Sequence, residues 1–491
     1  MTQIHRRMFL GGAALSGSAA LAAASSSFPA LHRARRPSDE IRVAVVGIRS
    51  RGQHHIRSFH GLPDARVVAV CDVDESLLLK ERAKFAERGE SLDTYADLRV
   101  LLARDDIDAI SLATPNHLHA LHTIWACQAG KDVYCEKPIS HNVFEGRQAV
   151  IAAAKYGRVV ATGTQARSST AIQQGIEWMH AGNLGPLTYA WGTCYKPRKS
   201  IGKVPNAQEI PGNMAWDLWC GPRGVMPLMR QQLHYDWHWQ FATGCGDLGN
   251  QGIHQMDICR WGLGRKTLAP RVLSVGGRFG YDDDGDTPNT QFLYFDYEPA
   301  PLIFEVRGLP ANKEAQTKNW GGGMDRRNGM GIGVSIHAEG GYLAVSNSYA
   351  SARAYDDKGQ LLKEWKGGDD HFAGFIAAVK AQDSTLLASD ILEGHLSSAL
   401  CHMGNDSHRL GWPTHPDSIA DAVSGEPHLN TSWERMQAHL VANAVDLKRT
   451  PAQLGRWLVL DQETELYVGD SEANVLRRGS YAEGFEVTDE V

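Results

Sequence analysis

A lysine and a histidine in two separate motifs are the residues of this sequence best suited to proton chemistry. Lys137 lies in the tripeptide Glu136-Lys-Pro138 at the end of a predicted strand, where its ammonium can donate a hydrogen bond that stabilises a developing alkoxide. His254 lies within residues 247–261, and its unperturbed pKa near working pH suits a general base. We therefore predict Lys137 and His254 as catalytic residues. A surface ion pair with Glu136 is the alternative for Lys137.

Polar residues around His254 recur every three or four positions, a spacing that places them on one face of a helix. They are Asp247, Asn250, His254, Asp257 and Trp261. A polar face turned toward a cleft suits a sugar-like substrate, whereas a helix cap or a scaffold role is the alternative for the two aspartates. We predict that Asp247, Asn250 and His254 contact substrate.

A glycine turn near the start of the chain would position a dinucleotide. An apolar run, residues 41–46, ends at Gly47, and Gly52 follows before a predicted helix whose free N–H groups can bind a pyrophosphate. Asp72 ends the next apolar run, where its carboxylate would bind ribose hydroxyls and repel a 2′-phosphate, so the predicted cofactor is NAD. Arg49 replaces the usual middle glycine. The cofactor contacts predicted in this unit are Gly47, Arg49, Ser50, Gly52 and Asp72.

Strands alternating with helices up to residue 165 predict a parallel, doubly wound sheet. Ligands of such sheets bind beyond the carboxyl ends of the strands, so the polar residues that follow successive strands should meet in one crevice. These further predicted cofactor contacts are Thr114, Asn116, His117, Glu136, Lys137 and Gln165.

Cationic and aromatic residues after residue 190 complete the predicted site. Tyr195, Lys196 and Arg198 follow a predicted strand, and Trp237 precedes the His254 helix. Flat aromatic rings stack on sugar rings, and Arg and Lys bind hydroxyls or an acidic group. We predict these four residues as substrate contacts, with core packing as the alternative for the tryptophan.

The sequence resembles the Gfo/Idh/MocA family, the glucose–fructose oxidoreductase and inositol dehydrogenase type. The resemblance rests on the glycine turn with Asp72, on residues 113–117 (Ala-Thr-Pro-Asn-His), on Glu136-Lys-Pro138 and on the Asn250-x-x-x-His254 helix. It is nearest to exported members with a twin-arginine signal. Many relatives carry Asp where this chain has Asn250, which cannot take a proton.

The resemblance implies an α/β fold in two domains. The first, residues 36–165, is a Rossmann NAD-binding domain. The second, residues 166–491, is a substrate-binding and oligomerisation domain with an open, mostly antiparallel sheet, whose face often forms dimers or tetramers. A homodimer or homotetramer is therefore expected.

The first 35 residues resemble an export signal and a tether. Arg6 and Arg7 precede a mildly apolar stretch and small residues, which is typical of a twin-arginine signal peptide. We expect recognition by the twin-arginine translocase and a periplasmic protein. The net charge of −6 does not favour nucleic-acid binding, and no later apolar run is long enough for a stable membrane span. The cysteine spacing predicts no metal site.

Three functions follow from these patterns. The first is an NAD-dependent oxidoreductase that oxidises or reduces a secondary hydroxyl of a sugar, glycoside or cyclitol with tightly bound cofactor. The second is an NAD-dependent glycosidase working by oxidation, elimination and reduction, with Tyr195 or His234 as the additional base. The third is a sugar-binding protein without catalytic activity on the same fold.

Overall fold

The computed structural model describes residues 40–368 and 370–491. The predicted signal peptide and tether, residues 1–35, lie outside the described residues. In the part of the chain that is described, no helix is long and apolar enough to cross a membrane.

The first sheet has six strands in the order β3-β2-β1-β4-β5-β6, and every neighbouring pair is parallel. Its central strands are buried on both faces, which is why they read as continuous apolar runs in the sequence. The strands are β1 Ile41–Val46, β2 Ala65–Cys71, β3 Asp93–Tyr95, β4 Ala109–Leu112, β5 Asp132–Cys135 and β6 Val160–Thr162. The helices that alternate with them are α1 Arg51–His60, α2 Glu75–Glu87, α3 Leu98–Leu102, α4 Asn116–Gln128 and α5 Val143–Lys155.

The second sheet has eleven strands and is antiparallel except where β10 pairs with β7. Its path is β14-β13-β12-β11-β7-β10-β9-β8-β16-β15, with β17 also pairing with β8. The two sheets confirm the predicted α/β class, a parallel Rossmann sheet followed by a mostly antiparallel one. The strands are β7 Leu187–Tyr195, β8 Arg271–Gly277, β9 Thr290–Phe295, β10 Leu302–Arg307, β11 Ile332–Ala338, β12 Gly341–Ser346, β13 Ser351–Asp356, β14 Leu361–Lys366, β15 Trp412–Pro413, β16 Gln453–Leu454 and β17 Leu458–Val459.

Helices cover both faces of the second sheet. On one face, α8 packs against β7 and β11, and α11 packs against β8. On the other face, Trp433 and Met436 of α13 join a buried cluster with Phe292 and Tyr294 of β9. Helices of the same chain therefore cover part of the sheet face. The family resemblance associates such a face with oligomerisation. The helices are α6 Thr170–Trp178, α7 Trp216–Cys220, α8 Ile253–Gly262, α9 Lys313–Lys318, α10 His371–Ala381, α11 Ile391–Arg409, α12 Pro416–Val423, α13 Pro427–Ala442 and α14 Ser471–Arg478.

Segments distant in sequence return to the first sheet. Phe372 and Phe375 of α10 are buried in the same core cluster as β1 and β2. Val487 and Val491 are buried in the cluster that includes α4 and β5. Residues much later in the sequence thus pack on both faces of the first sheet, which was assigned to residues 36–165.

Candidate active site

A cavity of about 830 Å³ lies where the strands of the first sheet end, between that sheet and residues 216–254. Its walls include residues that follow β1, β2, β4 and β5, as the topology of a parallel sheet requires. The predicted cofactor and substrate contacts on these walls are Gly47, Arg49, Ser50, Asp72, Thr114, Asn116, Glu136, Lys137, Gln165, Lys196, Trp237, Asn250 and His254.

The turn after β1 requires its two glycines. Gly47 has φ +77°, and a Cβ there would lie 2.8 Å from the carbonyl carbon and oxygen of Ala113. A Cβ on Gly52 would lie 1.9 Å from the Gly47 carbonyl oxygen. Gly47 therefore keeps the turn open at the cavity, whereas Gly52 lies beneath it and lets α1 pack closely on β1.

Asp72 closes the other side of this turn. The backbone N–H groups of Ile48 and Asp74 donate to its two carboxylate oxygens at 2.8 and 3.0 Å. Burial nevertheless raises the Asp72 pKa to about 6, because desolvation outweighs those hydrogen bonds. The open glycine turn, the first N–H groups of α1 and the half-buried carboxylate of Asp72 fit the pyrophosphate and ribose of a dinucleotide.

Hydrogen bonds fix both Glu136 and Lys137, the first to basic side chains and the second to a backbone carbonyl. Arg51 Nε donates to Glu136 Oε1 at 2.6 Å, and His55 Nε2 lies 3.1 Å from the same oxygen. Lys137 Nζ donates to the backbone carbonyl of Asn250 at 2.5 Å. Burial lowers the Lys137 pKa, against the opposing effect of Glu136. The lysine is thereby held one helical turn before His254.

His254 lies in the same cavity with little solvent contact. Its side chain is buried, and its Nδ1 has no hydrogen-bond partner among the described residues. Burial and then the charge of Lys137 lower the His254 pKa well below its usual value. The ring is therefore neutral near pH 7 and able to accept a proton.

The predicted polar face around His254 is divided by a π-helical turn, Leu248–Gly252, that precedes α8. Across this turn Asn250 and His254 still line the cavity together, whereas Asp247 and Asp257 do not. Asp257 is fully buried and binds the Arg167 guanidinium at 2.9 and 3.0 Å, outside the cavity. Asp247 caps no N–H group and instead binds Arg198 through both carboxylate oxygens. Trp261 does not line the cavity either.

Five predicted contacts do not line the cavity: Gly52, His117, Tyr195, Arg198 and Asp247. His117 is buried between the carbonyls of Trp219 and Thr243, at 2.8 and 3.3 Å. Tyr195 donates to Glu305, on the opposite side of the sheet from Lys196. Successive strand residues point to opposite faces, so Tyr195 and Lys196 could not both face the cavity.

The first sheet also matches a known protein family. Residues 41–164 match the family described as "Oxidoreductase family, NAD-binding Rossmann fold" (GFO_IDH_MocA). These residues are therefore similar to the Rossmann domain of that family, and the cofactor is NAD.

Two kinds of relative extend this comparison. Inositol 2-dehydrogenase 1 of Saccharopolyspora erythraea is 36% identical over 122 residues, covering 22% of this chain and 35% of the relative. A glycosyl hydrolase family 109 protein of Streptomyces coelicolor is 33% identical over 164 residues, covering 28% and 33%. This chain therefore spans about a third of the length of these curated relatives.

Solved structures share the fold over a larger part of the chain. Levoglucosan dehydrogenase in complex with NADH and levoglucosan has a TM-score of 0.56 at 17% identity, covering 75% of this chain and 97% of that one. The WlbA dehydrogenase of Bordetella pertussis in complex with NADH and UDP-GlcNAcA has a TM-score of 0.54 at 20% identity, with coverages of 75% and 97%.

Beyond residue 165, sequence reasoning missed several cavity residues, among them His238, Gln251 and Phe485. His238 stacks on Trp237 with ring centroids 3.6 Å apart, and its Nδ1 donates to the Tyr235 carbonyl at 2.6 Å. Its pKa falls to about 3, chiefly through burial, so the neutral ring keeps a lone pair on Nε2. Its position beside Trp237 was the available signal for His238, whereas nothing local in the sequence marks Phe485.

Proposed function

We propose that this protein is an NAD-dependent oxidoreductase that acts on a secondary hydroxyl of a sugar, glycoside or cyclitol and keeps its cofactor tightly bound. The observation that carries the proposal is the convergence of Lys137, from the Gfo/Idh/MocA domain, and His254, from the following domain, in one cavity. The relatives named inositol dehydrogenase and levoglucosan dehydrogenase support a polyhydroxylated substrate.

Each side chain has a defined task in this proposal. When bound, NAD supplies a hydride acceptor at its nicotinamide ring. The neutral His254 accepts the hydroxyl proton, while the Lys137 ammonium donates a hydrogen bond to the same substrate oxygen and stabilises its developing charge. The Asn250 side chain lines the cavity and can hydrogen-bond a neighbouring hydroxyl, but it cannot replace His254 as a base. Trp237 offers a flat apolar wall for a sugar ring.

The test begins with protein as purified. Mass spectrometry and absorbance should detect retained NAD, and mixing with candidate sugars or cyclitols should change the absorbance of the nicotinamide. Lys137→Met should retain NAD yet lose at least about a hundredfold in turnover, since one lost transition-state hydrogen bond removes that much. Lys155→Met, on the far surface of α5, is the matched control. A Lys137→Met variant as active as wild type on every substrate would refute the proposal.

A second candidate is the NAD-dependent glycosidase. Relatives named glycosyl hydrolase family 109 favour it, as does His238, whose free Nε2 is a further base in the cavity. Of the bases expected from sequence, Tyr195 does not line the cavity, and His234 lies 3.1 Å from Asp74, at the Asp72 end. His238 is therefore the better candidate to remove an acidified ring proton.

One incubation separates the two activities. A nitrophenyl glycoside with no added NAD should release free nitrophenol and an intact sugar if the protein is a glycosidase. An accumulating keto-sugar that needs a second carbonyl compound for turnover should appear if it is a dehydrogenase. His238→Gln should abolish only the first outcome.

Export and assembly belong to the same proposal. Residues 6–24 support translocation by the twin-arginine pathway and a periplasmic location. Fusing residues 1–35 to a reporter, with Arg6→Lys and Arg7→Lys as the control, tests export. Sedimentation of the purified protein tests for the proposed homodimer or homotetramer.

A further inference from the structure

Lys196 is a cation on the cavity wall that has no carboxylate partner among the described residues. Lys196 follows β7, and its Nζ donates to Gln251 Oε1 at 2.7 Å. Among the described residues no carboxylate oxygen lies within ion-pair distance of Lys196, so its only side-chain partner here is a neutral amide. The side chain is largely shielded from water. An ammonium in such a place gains most from an anionic ligand.

The carboxylates of Asp247 and Glu136 are already neutralised by arginines. Arg198 binds both oxygens of Asp247, at 2.8 and 3.1 Å, in a two-bond fork. Arg51 binds Glu136 at 2.6 Å. Neither acid is therefore free to turn toward Lys196.

The substrate end of the cavity consequently carries excess positive charge. The cations that line it there are Lys137, Lys196 and Arg51, against the carboxylate of Glu136, while the Arg198–Asp247 ion pair lies outside the cavity and adds no net charge. The charge of Lys196 also lowers the pKa values of Lys137, His238 and His254, which shows that it acts on the whole reacting end. Lys196 follows β7 and lies beside Gln251, whereas the glycine turn that fits a pyrophosphate belongs to the first sheet.

We propose that the substrate carries a carboxylate, as a hexuronic acid or its glycoside does, and that Lys196 binds this group while the reacting hydroxyl lies at Lys137 and His254. This assignment rests on the proposed function. A carboxylate fits better than a phosphate or sulfate ester because Lys137 is assigned to the reacting hydroxyl and both guanidinium groups, those of Arg51 and Arg198, are committed to ion pairs, which leaves the single ammonium of Lys196 for the anion.

Calorimetry on NAD-loaded protein tests the assignment with matched pairs of ligands. The probes are the methyl glycosides of glucose, galactose and mannose and the corresponding methyl uronosides, at low salt. We expect at least one uronoside to bind tenfold or more tightly than its neutral partner, with the advantage shrinking as salt is added. Lys196→Met should remove the advantage and Lys196→Arg should retain it. Lys199→Met is the matched control, since Lys199 lies on the same segment, outside this cavity and near the Trp320 ring.

Several outcomes would overturn the assignment. One is that the uronoside and the neutral glycoside bind equally, or not at all, in all three pairs. Another is that Lys196→Met keeps the wild-type preference for a uronoside. A third is that the corresponding sugar phosphates bind more tightly than the uronosides. The proposed function fails separately: if uronosides bind through Lys196 but no sugar is oxidised, reduced or cleaved, the carboxylate assignment stands and the oxidoreductase proposal does not.

Discussion

Replacing Asp72 by Asn should weaken NAD binding and remove its dependence on pH. The Asp72 carboxylate already accepts N–H groups from Ile48 and Asp74, and it would additionally accept the ribose hydroxyls. Hydrogen bonds to a charged group contribute about 1.5–3 kcal/mol each, so losing the charge should cost about 2–3 kcal/mol, or roughly a hundredfold in Kd.

The raised pKa of Asp72 determines the pH range in which NAD binding depends on pH. With a pKa of about 6 in the free protein, the carboxylate is ionised above pH 7 and mostly protonated at pH 5. NAD binds the ionised form, so its Kd should be constant above pH 7 and rise about tenfold by pH 5, with proton release on binding near pH 6.

Calorimetry of protein stripped of dinucleotide, in buffers with different ionisation enthalpies, measures both effects. Asp72→Asn should bind weakly at every pH between 5 and 8, with no proton release near pH 6. Asp97→Asn is the matched control, because Asp97 caps α3 outside the cavity. A wild-type Kd that is flat from pH 5 to 8, or an Asp72→Asn variant that keeps the wild-type pH dependence, would refute the reasoning.

Four further outcomes are expected. His254→Ala should lower kcat by about 10²–10⁴-fold. Because the His254 pKa is depressed, the wild-type rate should not fall as the pH is lowered from 8 to 6.5. A fall in that range that disappears in the variant would contradict the assignment. Phe485→Ala should speed NAD loss during dialysis, since the ring lines the cavity, and an unchanged loss rate would exclude that role. Arg49→Gly should also speed NAD loss by removing a cation from the pyrophosphate; the same release rate in both proteins would show that Arg49 is not needed. Burial raises the Asp406 pKa to about 7, so the contribution of Asp406 to the free energy of unfolding falls as the pH rises from about 4 to 7. Asp406→Asn should therefore raise Tm more at pH 8 than at pH 4. An equal change in Tm at both pH values would contradict the pKa shift.

The first sheet was predictable because its signals are local. A parallel strand buried on both faces is apolar along its whole length, as in β1, and the turn after it needs Gly47 at positive φ. The residues that follow each strand then lie at one edge by topology alone. The topology therefore predicts that Lys137 and Asp72 reach one crevice, and both line the cavity.

The rest of the site depends on contacts between distant parts of the chain. Asp257 lies in α8 three residues beyond His254 and is buried in the core, where Arg167 binds it. Asp247 is occupied by Arg198, 49 positions away. No periodicity of a single segment contains such pairings, because they form only when separate elements pack. Phe485 reaches the cavity for the same reason.

The return of late segments to the first sheet has a consequence for biosynthesis. Domains generally fold as units as they leave the ribosome, the earlier one first. Here the Rossmann sheet lacks part of its core until Phe372 and Phe375 are made, and another part until Val487 and Val491 follow. While the ribosome is still adding residues 166–486, the emerging sheet exposes apolar surface. The nascent chain therefore carries this apolar surface through most of its synthesis, until Val487 and Val491 can pack on the sheet.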